Sequence, residues 1–313
     1  GVFADCGLGK TFIQLKWLEA LGGGIIMAPL AVAQQTQYEA RKLDLTCTYV
    51  RSQADVAGRG IYVTNYEMAH AFDPAQWGAV VLDESSILKN LDGATRNFLI
   101  DQWSVVSYRL CCTATPAPND ITELGNHAEF LGVMPHAQML GTFFVHDDNG
   151  WRLKGHAREK FYEWLASWSI MFQSPSQLGF AADGFKLPAL SVETQTVPID
   201  HAAFAGASGR LFVNGLSGIE GRLIARRQSL DARVDHAAKL ILDSGESWVV
   251  WCGLNDEGRL LAKQLPGAAL VEGSMELGEK IRQIGRFLDG NAKVLITKVK
   301  VAGFGLNLQY CHN

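Results

Sequence analysis

The sequence predicts an α/β fold of two doubly wound parallel-sheet domains. Two observations carry this. Short apolar runs recur along the chain, and longer stretches with helical spacing of apolar residues lie between them. The runs lack the polar alternate positions of a half-exposed strand, as a sheet covered by helices on both faces requires. The length of 313 residues leaves room for two domains of roughly 150 residues each.

The elements follow in order. GIIMAPL (24–30), IYVTNY (61–66), AVVLDE (79–84) and RLCCTAT (109–115) read as buried strands, and VFA (2–4) as the end of another. Apolar residues at 12, 13, 15, 17, 18 and 21 place a helix over Thr11–Leu21. This β-α alternation defines a first domain over 1–132. The pattern then changes. REKFYEWLASWSIMF (158–172) reads as an aromatic-rich helix, and the Ser/Pro/Gly-rich QSPSQLGFAADGFKLP follows it, so 133–190 is expected to be a helical insertion and connector. Residues 200–244 read as helical, with a break at the glycines of 206–221. Strands WVVWC (248–252) and KVLIT (293–297), with helices over 255–265 and 276–288, make 191–313 the second α/β domain. There is no repeat and no low-complexity tract.

Composition excludes several classes. Hydrophobic residues are 48% and charged residues 19%, which rules out wholesale disorder. Lys+Arg 28 against Asp+Glu 32 gives a net charge of −4. That excludes an evenly basic nucleic-acid binder but leaves room for a local basic channel. No apolar run approaches the ~18 residues of a membrane span. The six cysteines form no CxxC pair, so a zinc ribbon is not expected. A chain this long needs no disulfide staples, and reduced thiols are expected. The chain opens on Gly1, close to a motif, and is expected to be a piece of a longer one.

ADCGLGKT (4–11) has the chemistry of a phosphate-binding loop. Gly7 and Gly9, around Leu8, let backbone N–H groups turn inward about an anion; Lys10 reaches the β/γ-phosphates and the Thr11 hydroxyl can ligate Mg²⁺. A helix starting at Thr11 adds its N-terminal partial charge. VVLDES (80–85) closes an apolar strand on two carboxylates. Asp83 there would hold Mg²⁺, directly or through water, and Glu84 would orient and deprotonate an attacking water. TATP (113–116), after a third strand, offers hydroxyls that could hydrogen-bond the acidic pair. VAGFGLNL (301–308) follows KVLIT, and its glycines permit close backbone approach to phosphates. His146-Asp147-Asp148 reads as a solvated turn rather than a metal site. Trp164 and Trp168, four apart on a helix, read as core. The basic residues among 151–160 and 222–233 read equally as phosphate contacts or solvated surface.

The ordered set ADCGLGKT, IIMAPLAVAQQTQYEA, VTNYE, VVLDESS, CCTATPAPNDITELGNHAEFL and VLITKVKVAGFGLNLQ resembles the superfamily 2 helicase-like ATPases, in particular their Swi/Snf-related branch. The 151–190 segment is most similar to phage and prophage DEAD/DEAH-box helicases. The resemblance implies two RecA-like parallel-sheet domains with ATP and Mg²⁺ in the cleft between them. It implies that Gly7, Leu8, Gly9, Lys10 and Thr11 bind ATP, that Thr11 and Asp83 hold the metal, and that Lys10, Asp83 and Glu84 are catalytic. It further implies that Ser86, Thr113 and Thr115 couple hydrolysis to movement, and that Pro29, Thr64, Gly303 and Gly305 lie in motifs that contact nucleic acid, DNA rather than RNA. Ser86 stands where the branch usually has histidine. The family's final arginine motif would lie beyond Asn313, so this chain is expected to bind ATP yet hydrolyse it poorly. A monomer in a bacterial or phage-infected cytoplasm, without membrane contact, is expected. An ATP-switched nucleic-acid-binding module with little turnover is the alternative, and a P-loop kinase a more remote one.

Overall fold

In the computed structural model, which describes residues 1–30, 32–148, 150–185, 189–198, 225–303, 308 and 311–313, the chain divides into two compact units, Gly1–Pro188 and Ala189–Asn313. The first is built on a seven-stranded sheet: β1 Val2–Ala4, β2 Gly24–Ala28, β3 Cys47–Tyr49, β4 Ile61–Asn65, β5 Ala79–Asp83, β6 Tyr108–Thr113 and β9 Ile170–Phe172. Its order is β3-β4-β2-β5-β6-β1-β9. Every pairing in it is parallel.

Side-chain alternation along these strands separates two cores. Ile25 and Met27 of β2, Val80 and Leu82 of β5 and Cys111 of β6 belong to one. Ile26, Ala28, Ala79, Val81, Leu110 and Cys112 belong to the other. Because both faces are covered, the central strands are apolar at most positions, which is why they were legible as runs. Helices α1 (Lys10–Ala20) and α2 (Val32–Arg41) contribute Leu15, Leu18, Val32, Ala33 and Ala40 to the second core. Helices α3 (Ala94–Trp103), α4 (Leu124–Leu131), α5 (His136–Phe143) and α6 (Arg158–Trp168) close the first with Leu99, Trp103, Leu124, Phe130, Met139, Phe143 and Phe161.

The region after 132 differs in part from the sequence expectation. Alongside α5 and α6 it holds the antiparallel hairpin of β7 Phe144–Asp147 and β8 Gly150–Leu153. The helix expected over 158–172 stops at Trp168, because Ser169 turns to extended backbone (φ −136°, ψ 152°). Ile170–Phe172 then joins the sheet as β9, pairing with β1. Trp164 and Trp168 pack on the core as expected, edge to face with centroids 5.3 Å apart. Phe161 is fully buried and meets Phe143 and Phe144 edge to face. Phe161→Ala is expected to lower unfolding stability by about 3–5 kcal/mol through the cavity left behind. Urea denaturation followed by tryptophan fluorescence measures it. A change under ~1 kcal/mol would mean that the packing of α6 adds little to the unit's stability.

The second unit has a parallel sheet in the order β10-β12-β11, from β10 Trp248–Trp251, β11 Ala269–Leu270 and β12 Val294–Thr297. Helices α7 (Leu230–Ser244) and α8 (Asn255–Gln264) pack on one face through Val234, Ala238, Ile241, Leu261 and Leu265. Helix α9 (Leu277–Leu288) lies against β11 and β12, and α10 (Val299–Ala302) follows β12. The Arg233 guanidinium of α7 lies 2.7 Å from the Glu257 carboxylate of α8. Burial alone would raise the Glu257 carboxyl, but the amides of Leu254 and Gly253 and the Arg233 charge bring it below the usual range.

All six cysteines carry free thiols; Cys47, Cys111 and Cys112 are buried and Cys6 is exposed. Burial pushes the Cys111 thiol up to about 12. Among the described residues no helix is long and apolar enough to cross a membrane, and no cluster of His, Cys, Asp and Glu is arranged to hold a metal ion. In the hairpin His146 stacks on Trp151 and Asp147 pairs with Arg152.

Candidate nucleotide site

Parallel strands put all their carboxyl ends on one edge, and the motif residues collect there. Across that edge come the ends of β4, β2, β5, β6 and β1. They carry, in turn, Thr64-Asn65, Pro29, Asp83-Glu84, Thr113–Thr115 and the 5–11 loop. Register makes this concrete: Asp83 lies beside Cys112, and Thr113 beside Phe3.

The loop after β1 turns through left-handed backbone at Gly7 (φ 78°) and Gly9 (φ 76°). No atom lies within 4 Å of where a Cβ on Gly7 would stand, so the requirement there is conformational. A side chain would cost about 1–2 kcal/mol per position in this region. Gly9 ends the loop as the N-cap of α1, and the helix begins at Lys10 and Thr11. Leu8, Gly9, Lys10 and Thr11 are half-buried. The Lys10 ammonium donates to the carbonyls of Ala4 (2.9 Å) and Asp5 (3.1 Å), which holds it across the loop.

Asp83 is buried at the end of β5. Its Oδ1 accepts from Gln14 Nε2 (2.7 Å) and from the Glu84 amide (3.2 Å). Burial pushes the Asp83 carboxyl up to about 6; the Gln14 bond and the Lys10 charge counter this, and the neighbouring Glu84 adds to it. The Tyr66 hydroxyl donates to the Asp83 carbonyl at 2.7 Å.

Glu84 sits in left-handed backbone (φ 53°, ψ 52°). Only Asp44 and Glu84 do so among the described non-glycine residues. Such strain persists where surrounding structure enforces it and clusters at functional sites. Glu84 Oε2 accepts from the Thr113 hydroxyl (3.2 Å), and Thr113 Oγ1 accepts from the Thr115 amide (3.1 Å). The acidic pair and the turn after β6 are therefore joined through Thr113.

Other expected residues are placed less simply. Ser86 is half-buried, and the side-chain bonds tying this turn to β6 and α4 come from Glu84 and Ser85. Ser85 Oγ meets His127 Nε2 of α4 at 3.1 Å, and the imidazole stands edge to face on Phe3 of β1 at 5.3 Å. His127 is fully buried, and burial pushes it down to about 4. The imidazole absent at position 86 is thus delivered to the same turn from α4. Sequence reasoning missed Gln14, Tyr66, Ser85 and His127. Only Gln14 had a signal, lying four residues after Lys10 and hence on the same helical face.

Pro29 is half-buried at the end of β2, where its carbonyl accepts from Val32 and starts α2. Thr64 is the next-to-last residue of β4. It is a central-strand residue at 0% exposure with an unpartnered hydroxyl, so its side chain presents nothing outward. Gly303 closes α10 in the second unit and is exposed. Gly305 lies outside the described residues.

Residues 2–145 match the SNF2-related domain. The match covers the phosphate loop, the acidic pair and the turn after β6. A search of curated protein sequences gives no match. Among solved structures, Saccharomyces cerevisiae Dbp5 L327V bound to RNA and ADP BeF3 is 12% identical with a TM-score of 0.58, over 99% of this chain and 68% of that one. That likeness shows the shared two-unit α/β architecture. The Sulfolobus solfataricus SWI2/SNF2 ATPase core is 18% identical in complex with dsDNA and 19% identical alone. Both have a TM-score of 0.46, over 99% of this chain and 75% and 74% of theirs. Within residues 2–145, the bonds Gln14–Asp83, Glu84–Thr113 and Ser85–His127 tie the motif ends to one another.

Proposed function

We propose that the protein is a nucleic-acid-stimulated, helicase-like ATPase that translocates on or remodels DNA. One observation carries the reading: the phosphate loop, Asp83-Glu84 and Thr113–Thr115 meet at one sheet edge, with Glu84 hydrogen-bonded to Thr113. The glycine loop, Lys10 and the amino end of α1 bind the triphosphate. The donor set suits Mg²⁺: a hydroxyl at Thr11 and a carboxylate at Asp83 are oxygen ligands of the kind a hard cation takes beside phosphate oxygens. When bound, that ion neutralises charge that develops on the phosphates during transfer.

Glu84 takes the proton of the attacking water, and Thr113 orients its carboxylate. The proton leaves on Glu84 as the water oxygen attacks the terminal phosphorus, whose bond to the β-phosphate oxygen breaks so that ADP leaves with that oxygen. Because Thr113 ends β6 and its hydroxyl oxygen accepts from the Thr115 amide of the turn that follows, a movement of that turn bears on the base, which is a route for nucleic acid to set the rate. The polymer proposed is DNA rather than RNA.

The test is the steady-state ATPase rate in Mg²⁺ with and without duplex DNA. The expected result is stimulation that saturates with DNA. No stimulation at saturating DNA, in this chain and in one extended to the next arginine-bearing motif, overturns the motor reading. Nucleotide-gated DNA binding without turnover would instead identify an ATP-switched binding module.

A further inference from the structure

Lys10 and Gln14 are one turn apart on α1, and the face that aims Lys10 at the phosphate loop turns Gln14 onto the end of β5. Gln14 is at 0% exposure. Its Nε2 donates to Asp83 Oδ1 at 2.7 Å, a bond spanning 69 residues of sequence. Its Oε1 is buried without a partner. A half-satisfied amide in an apolar interior is costly, because the unpaired oxygen gives up its hydrogen bonds to water. An aliphatic side chain of the same size would fill the space between α1 and β5 without that cost. Packing therefore does not account for glutamine here, whereas the charge-assisted bond to Asp83 does.

That bond also decides which oxygen of Asp83 is left over. Oδ1 is engaged by Gln14 and by the Glu84 amide. Oδ2 takes no hydrogen bond from a described residue. With one oxygen anchored, the carboxylate cannot rotate about its Cβ–Cγ bond without losing both bonds, so its free oxygen keeps one direction.

We propose that Gln14 is a positioning residue for the cation, anchoring Oδ1 of Asp83 so that Oδ2 is presented to a divalent ion beside the phosphate loop. The assignment rests on the nucleotide-site reading above. Residues that hydrogen-bond a metal-ligating carboxylate typically change metal affinity by about 10–100-fold when removed.

The experiment measures the affinity of a fluorescent ADP analogue for the full chain, in EDTA and across a Mg²⁺ titration, for wild type, Gln14→Met, Gln14→Leu and Asp83→Asn. Both Gln14 variants keep the bulk and remove the donor. The expected result is unchanged affinity in EDTA with the Mg²⁺ concentration for half-maximal effect raised at least ~10-fold, in the direction of Asp83→Asn. A purely structural role would move the EDTA affinity as well. If the Gln14 variants lose affinity in EDTA and in Mg²⁺ alike, Gln14 is a packing residue and the proposal is overturned. If they match wild type in Mg²⁺ while Asp83→Asn does not, the proposal fails and the nucleotide site stands. If wild type shows no Mg²⁺ effect or no binding, both readings fall.

Discussion

Glu84→Gln is expected to retain nucleotide binding and to lose about 10²–10⁴-fold in ATP turnover, the usual worth of a positioned general base. The amide keeps the shape of the side chain and can still meet the Thr113 hydroxyl, which lies 3.2 Å from Oε2. It cannot take a proton from water. Lys10→Ala is the complementary variant. It removes the ammonium held over the loop by the Ala4 and Asp5 carbonyls, and is expected to abolish triphosphate affinity itself. Equilibrium binding separates the two, and turnover alone does not. A Glu84→Gln protein that hydrolyses ATP at the wild-type rate would remove Glu84 from the role of base.

The second large effect is on stability. Two buried groups beside the same turn oppose each other as pH falls. His127 protonates at about 4 in the folded chain, against 6.5 when unfolded. Its contribution is fully present above 6.5 and is lost as pH falls from there towards 4. Asp83 behaves inversely. Its folded carboxyl is raised to about 6 from 3.8, so the buried carboxylate destabilises the fold at neutral pH, and this is relieved as pH falls from about 6 towards 3.8. Each amounts to roughly 3 kcal/mol at its limit. Asp83→Asn removes the second effect and leaves the first. The variant is expected to be more stable than wild type at pH 7.5, by up to about 3 kcal/mol, and to keep only about 1 kcal/mol of that advantage at pH 4.5. Urea midpoints at the two pH values measure the difference. A constant offset between variant and wild type would show that Asp83 titrates in its ordinary range. A functional carboxylate held at a cost to the fold is a common trade between activity and stability.

Much of the architecture was legible because its signals are local. Strands β2, β4, β5 and β6 were found to within two residues at each end. Covered on both faces, they are apolar except for Thr64, Asn65, Asp83, Arg109 and Thr113. The short β3, β11 and the hairpin carried no comparable run. The Ile170–Phe172 segment was hidden by its neighbour, since its apolar residues continue the spacing of α6 until Ser169 breaks it. The burial of Thr64 was hidden for a different reason. Its motif lies at a strand end, but the side chain is inside the sheet layer, and burial is a property of what packs on it.

The sequence by itself determined where phosphate chemistry can occur in this protein. Glycines that must turn backwards, a lysine at a helix start and carboxylates closing an apolar strand are all set within a few residues of chain. Only the tertiary structure decided how those pieces act on each other. The strand order β5-β6-β1 brings Glu84 to Thr113, α1 carries Gln14 to Asp83, and α4 delivers His127 to Ser85. These partners are 29 to 69 residues apart in the chain. They meet because side chains on the covered faces of a parallel sheet have no water to satisfy them and must find their hydrogen bonds across it.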